Sequence, residues 1–160
     1  MSKTLRIGAG SAWWGDRIEP AKLNAEQGDL DYLCFETMAE ATISAAQVRA
    51  RRDPNFPGYD TYLDDRMRAV LRGCLKRGTK IISNQGWINP DGAAQRIVHW
   101  LTEFGARGIK VAAVSGSLIT DRVLDRRVRG RFRHGREDHR TRDVLPGQGQ
   151  IPDRLLGKPP

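Results

Sequence analysis

The run Leu5-Arg6-Ile7-Gly8-Ala9-Gly10-Ser11-Ala12-Trp13-Trp14-Gly15-Asp16-Arg17 decides how the rest of the chain is read. A short apolar run that ends in closely spaced glycines, an aromatic pair and an Asp-Arg dipeptide reads as a parallel strand delivering a tight loop to one edge of a sheet. Later segments repeat that order of strand, polar loop and helix, so their loops are expected at the same edge.

Working outward, Pro20 to Gln27 has the composition of a short helix, with Pro20 suited to a first turn and Gly28 to a stop. Leu30 to Met38 holds a near-continuous apolar run, Leu30, Tyr32, Leu33, Cys34 and Phe35, as expected of a strand buried on both faces. It leads into Glu36 and, just beyond, Glu40. Ala39 to Arg52 is alanine-rich without Gly or Pro and reads as a helix able to pack closely on a sheet. Tyr62 to Arg77 places Leu63, Met67, Val70, Leu71 and Cys74 at helical spacing, with a charged opposite face and Gly78 as the C-terminal cap. Lys80 to Ile82 is a third short strand opening into Ser83-Asn84-Gln85-Gly86-Trp87-Ile88-Asn89-Pro90, where Asn89 reads as a cap and Pro90 as the first residue of a helix reaching about Phe104. Ile109 to Val114 is expected as a fourth strand, ending in Ser115-Gly116-Ser117. The expected fold is α/β: a parallel sheet of about four strands with covering helices and right-handed crossovers, an incomplete Rossmann-like arrangement. Residues 1–120 form its domain, and residues 121–160 an irregular, disordered basic tail.

A chain of 160 residues has room for one ordinary domain with a core that needs neither disulfide nor metal. No apolar run reaches the roughly 18 residues of a spanning helix, and Met1 to Arg6 lacks the apolar core of a signal peptide. A cytoplasmic protein without a membrane partner is expected. Cys34 and Cys74 have no metal or redox spacing and read as reduced, buried thiols. The net charge of +8 is concentrated in residues 121–160, which hold 11 Lys and Arg against 6 Asp and Glu, leaving 16 against 13 for residues 1–120. Nine arginines between Arg122 and Arg142 follow neither helical nor strand periodicity. Nucleic acid is therefore not the expected partner, although a basic tail of this composition is also able to bind polyanions.

In sheets of this kind ligands sit beyond the carboxyl ends of the strands, which points to the loops Gly8–Arg17, Glu36–Glu40, Asn84–Asn89 and Ser115–Ser117. Gly8, Gly10 and Gly15 invite a dinucleotide reading, but Trp13 stands where the third glycine of G-x-G-x-x-G belongs, and no P-loop run exists. A structural tight turn and a generic ligand loop both stay open. Trp13 and Trp14 cannot both point inward from an extended segment, so one of them lines a pocket or fills the core. Glu36 and Glu40 are the catalytic candidates, because burial at a strand end raises a carboxyl pKa toward the range useful for proton transfer. The alternatives are a helix-start charge or an ion pair with Arg17. Asp16 and Arg17 either clamp a polar ligand or pair with neighbours, and Asn84, Gln85, Gly86 and Asn89 offer neutral amide donors and acceptors, with capping the stronger role for Asn89. The candidate ligand-binding set is Gly8, Gly10, Trp14, Gly15, Asp16, Arg17, Asn84 and Gly86. His99 reads as a surface residue. No metal site is expected, since His134 and His139 lack a third ligand, and Ser11 is not in a G-x-S-x-G elbow.

Taken jointly, Gly8-Ala9-Gly10 through Trp14-Gly15-Asp16-Arg17, Gly28-Asp29-Leu30-Asp31-Tyr32-Leu33, Ala39-Glu40, Arg51-Arg52-Asp53-Pro54, Gly58-Tyr59-Asp60, Asn84-Gln85-Gly86, Asn89-Pro90 and Lys110-Val111-Ala112-Ala113-Val114 resemble the N-terminal domain of the acyclic terpene utilisation protein family. The likeness covers about Leu5 to Val114. It implies a part in bacterial breakdown of acyclic terpenoids such as citronellol and geraniol through acyl-CoA intermediates, with an acyl-CoA or terpenoid acid as ligand and an oligomer or pathway subunit as partner. It carries no assigned reaction, catalytic residue or cofactor. A non-catalytic binding or scaffold subunit is the rival expectation. Members are longer than this chain, and beyond about Asp125 the likeness is expected to end. Arg131 to Pro159, back-translated with permitted codons and read one base later, yields an Ala-Tyr-Leu-Gly segment like one the family has downstream, so a frameshifted, truncated member is the expectation.

Overall fold

The computed structural model describes residues 4–116 and Ile119. Within it three strands, β1 (Ile7–Ser11), β2 (Tyr32–Phe35) and β3 (Lys80–Ser83), form one parallel sheet in the order β1-β2-β3. Ile7, Tyr32 and Lys80 share one row of the ladder, and Ala9, Cys34 and Ile82 another. Between Ala9 and Ser11 the register shifts, leaving Gly10 as the extra residue of a bulge. Gly10 lies against the Phe35 ring so closely that a Cβ there would strike it. The bulge bends the end of β1 and re-aims the loop that follows.

Four helices complete the described part: α1 (Glu19–Gln27), α2 (Glu40–Arg52), α3 (Leu63–Arg77) and α4 (Pro90–Glu103). Pro20 opens α1 where no backbone N–H is missed. Gly78, at φ 74°, ends α3 in the left-handed conformation that only glycine adopts without strain. The Asn89 side chain caps α4 by accepting from the Gly92 N–H at 2.9 Å. The core lies between Leu33 and Phe35 of β2 and the inner faces of α1, α3 and α4, with Ala21, Ala25, Leu63, Met67, Val70, Leu71, Cys74, Ala93 and Leu101 buried. α1 and α3 approach closely at Gly73, where a Cβ would come within 2.7 Å of the Ala25 carbonyl oxygen.

The structure departs from the expectations at several points. β2 is buried on one face only: Leu33 and Phe35 are inside, Tyr32 and Cys34 half-buried, and the flanking Ile7 and Ile82 are 64% and 56% exposed. Every described crossover helix that contributes to the core contributes to the same cluster, and the sequential strand order contains no reversal, so the switch point of a Rossmann-like sheet is not among the described residues. The expected fourth strand, Ile109–Val114, pairs with no other strand among the described residues. Gly105 and Gly108, both at positive φ, turn the chain after α4, and only Val111 of that segment packs against the core, while Val114 is 88% exposed. Finally, α2 buries Ala46 alone rather than seating an alanine face on the sheet.

No helix among the described residues is long and apolar enough to cross a membrane. The basic stretch 121–160, its histidines His134 and His139, Ser117 and the proposed out-of-frame stretch lie outside the described residues.

Candidate functional site

The loops that leave the carboxyl ends of the three strands are bonded to one another. Ser11 Oγ donates to the Glu36 carbonyl at 2.8 Å, and the Glu36 N–H donates to the Ser11 carbonyl at 3.1 Å. Asn84, the first residue beyond β3, accepts from the Thr37 N–H at 2.8 Å and donates through Nδ2 to Glu36 Oε1 at 3.0 Å. Glu36 Oε1 also accepts from the Met38 N–H at 2.7 Å, and Oε2 has no hydrogen bond among the described residues. Trp87 completes the rim. Its indole N–H reaches the Thr37 carbonyl at 3.2 Å, and its backbone sits at φ 44°, a left-handed conformation unusual for a bulky residue.

The rim therefore joins Ser11, Glu36, Thr37, Asn84 and Trp87 at one end of the sheet. Glu36 and Glu40 are both exposed, so the burial on which the proton-transfer expectation relied is absent. Glu40 begins α2, where a carboxylate is favoured by the helix dipole, and its carbonyl accepts from Ser44 Oγ. Neither glutamate pairs with Arg17, which has no carboxylate partner among the described residues.

An open depression of about 430 Å³ lies in the first loop, lined by Ala9, Gly10, Ser11, Ala12, Gly15, Asp16, Arg17 and Pro20. Asp16 does not project outward as a clamp. Its Oδ2 turns back to accept from the Ala12 N–H at 2.7 Å and the Trp13 N–H at 3.0 Å. The amides that a glycine-rich loop would offer a phosphate are thus already taken by the protein's own carboxylate. Arg17 is the exposed cation left on the wall. Of the other candidates, Gly8 packs against Leu30, Gly15 against the Trp13 ring and Gly86 against Pro90. Trp14 is half-buried on Tyr62, ring centroids 5.3 Å apart, and does not line the depression, while Trp13 is 56% exposed.

Beneath the rim lies a buried polar network that the sequence reading missed. Arg66 and Asp60, both 1% exposed, pair at 2.6 Å, and Gln85 Nε2 donates to the same Asp60 oxygen at 2.9 Å. Ser83 and Gln85 bond through their side chains at 3.0 Å. Arg66 also donates to the backbone carbonyls of Trp14 and Asp16. One guanidinium therefore ties the first loop to α3 and, through Asp60, to the loop after β3. The signal was present: Arg66 stands between Leu63 and Val70, on the apolar stripe of α3 rather than on its charged face.

Away from the rim, the Arg96 guanidinium grips both Asp64 carboxylate oxygens at 2.7 Å, and Trp100 Nε1 adds a third bond at 2.8 Å. The Arg96 hydrogen bonds hold the Asp64 carboxyl below the usual carboxylate range against the opposing effect of partial burial. Burial pushes the Cys74 thiol up to about 11. No group of three His, Cys, Asp or Glu among the described residues is placed to hold a metal ion.

No curated protein and no solved structure matched the chain. The sequence profile of the family described as acyclic terpene utilisation family protein AtuA matches residues 5–149. The match continues past Asp125, where the likeness was expected to end, and into the stretch assigned to another reading frame. A match over that much of 160 residues shows that the chain belongs to the acyclic terpene utilisation family.

Proposed function

We propose that the chain acts in the breakdown of acyclic terpenoid or branched acyl compounds by holding a terpenoid acid or its CoA thioester at the carboxyl ends of the strands. The observation that carries this reading is the convergence of three loops, through Ser11, Glu36 and Asn84, beside a depression with a free cation. In this reading Arg17 meets the carboxylate or phosphate of the ligand. Glu36, with Oε1 held by Asn84 and Met38, presents Oε2 for proton transfer. Asn84 positions that carboxylate and does not itself contact the ligand. Glu40 serves the start of α2.

A second reading, a non-catalytic binding subunit of such a pathway, is favoured by the exposure of Glu36 and by the Asp16 carboxylate that fills the loop amides. One experiment separates the two. A terpenoid acid and its CoA thioester are screened by thermal shift, since a ligand held only by the folded state raises the melting temperature. Glu36→Gln is then compared with wild type in binding and turnover. The catalytic reading expects retained binding with turnover lost; the binding-subunit reading expects retained binding and no turnover in either protein. Absence of any shift contradicts both.

A further inference from the structure

The outer surface of α3 and α4 carries an arrangement that the rim does not use. Arg68, Arg72 and Lys76 are exposed on α3 and recur every four residues, a stripe with about 6 Å between steps. The Arg68 guanidinium lies 5.1 Å from the centroid of the Trp100 ring, and that of Arg72 lies 4.5 Å from Phe104. Trp100 and Phe104 are themselves neighbours on α4, with centroids 6.2 Å apart. Arg96 also sits over Trp100, at 5.0 Å, but its charge is matched by Asp64. Among the described residues Arg68 and Arg72 pair with no carboxylate.

A guanidinium held over an aromatic ring has already given up side-chain freedom, yet it keeps donors able to grip a carboxylate in two places. Arginine and tryptophan are also among the residue types enriched where protein interfaces derive most of their affinity. We propose that this surface docks an acidic protein segment, a helix with Asp or Glu at i and i+4 whose carboxylates meet Arg68 and Arg72. The repeat on such a helix matches that on α3. Nucleic acid fits less well, because base stacking needs open aromatic faces, and here guanidinium groups lie over both rings.

The full chain, isotope-labelled, is titrated at about 0.15 M salt with a synthetic helical peptide carrying Glu at i and i+4, and separately with a single-stranded oligonucleotide. The docking surface predicts that the Trp100 Nε1–H signal and the Arg68 and Arg72 Nε–H signals shift saturably with the peptide. R68Q/R72Q raises the dissociation constant about tenfold or more. R51Q/R107Q makes the same charge change elsewhere and moves it less than about twofold. R68K/R72K, which keeps the charge and loses the fork, falls between the two. Equal weakening by R68Q/R72Q and R51Q/R107Q, an unmoved Trp100 signal, or oligonucleotide binding that depends on Arg68 and Arg72 as strongly as peptide binding does, overturns the proposal.

Discussion

At Asn84 one amide serves two loops: its oxygen satisfies the N–H of Thr37, which is fully buried, and its nitrogen holds Glu36. Asn84→Ala leaves that N–H without a partner, and urea unfolding should show a loss of about 1–3 kcal/mol. Arg66 is the more costly residue to remove. Arg66→Met strands the Asp60 carboxylate in the interior, and the expected loss is about 3–5 kcal/mol. Arg66→Met combined with Asp60→Asn should lose less than the two single changes together, since the pair acts as one unit. The sequence allowed Glu36 and Asn84 to be placed at strand ends, because loop position follows from the strand that precedes it. It did not disclose Asp16 folding back onto the Ala12 and Trp13 amides, since that choice depends on φ and ψ within a turn of four residues.

Among the elements, α3 is the one the core depends on most, and its glycine and cysteine report on it directly. Gly73→Ala gains helix propensity of about 1 kcal/mol. It also drives a methyl into the Ala25 backbone of α1, where a rigid carbonyl cannot give way, so the net effect in thermal denaturation should be destabilising. The Cys74 thiol, raised by burial to about 11, stays neutral in the folded state while the unfolded chain ionises it near pH ~8.5. Its contribution is thus fully present below that pH and lost as pH rises through about 11. The stability difference between wild type and Cys74→Ala should shrink over that alkaline window. Asp64 works in the opposite direction: its carboxyl is lowered by Arg96, so its contribution is present above the ordinary carboxylate range and is lost as pH falls into the acid. Helices α1 to α4 and strands β1 to β3 were legible because proline and glycine punctuation or an uninterrupted helix-forming composition marks the helices and short apolar runs mark the strands. Ile109–Val114 has the composition of a strand without a pairing among the described residues, since a strand exists only where another strand's edge receives it.

At the scale of the molecule, the sheet among the described residues has one covered face, and the rim stands at its carboxyl end. Leu33→Ala, on the covered face, should cost about 2–5 kcal/mol, whereas Ile82→Ala, on the open face, should stay within about 0.5 kcal/mol. Parallel strands usually read as buried on both sides, so the sequence alone gave no warning that Ile7 and Ile82 face outward. What was legible at this scale was the meeting of loops from separate strands, because parallel topology forces every strand to end on the same edge. The most direct test follows the backbone amides of the labelled chain while a terpenoid acid is added. The account predicts saturable shifts at Ser11, Arg17, Glu36, Thr37 and Asn84, at one end of the sheet. Shifts confined to the amino ends of the strands or to the outer helix surfaces, with those rim amides unmoved, contradict it.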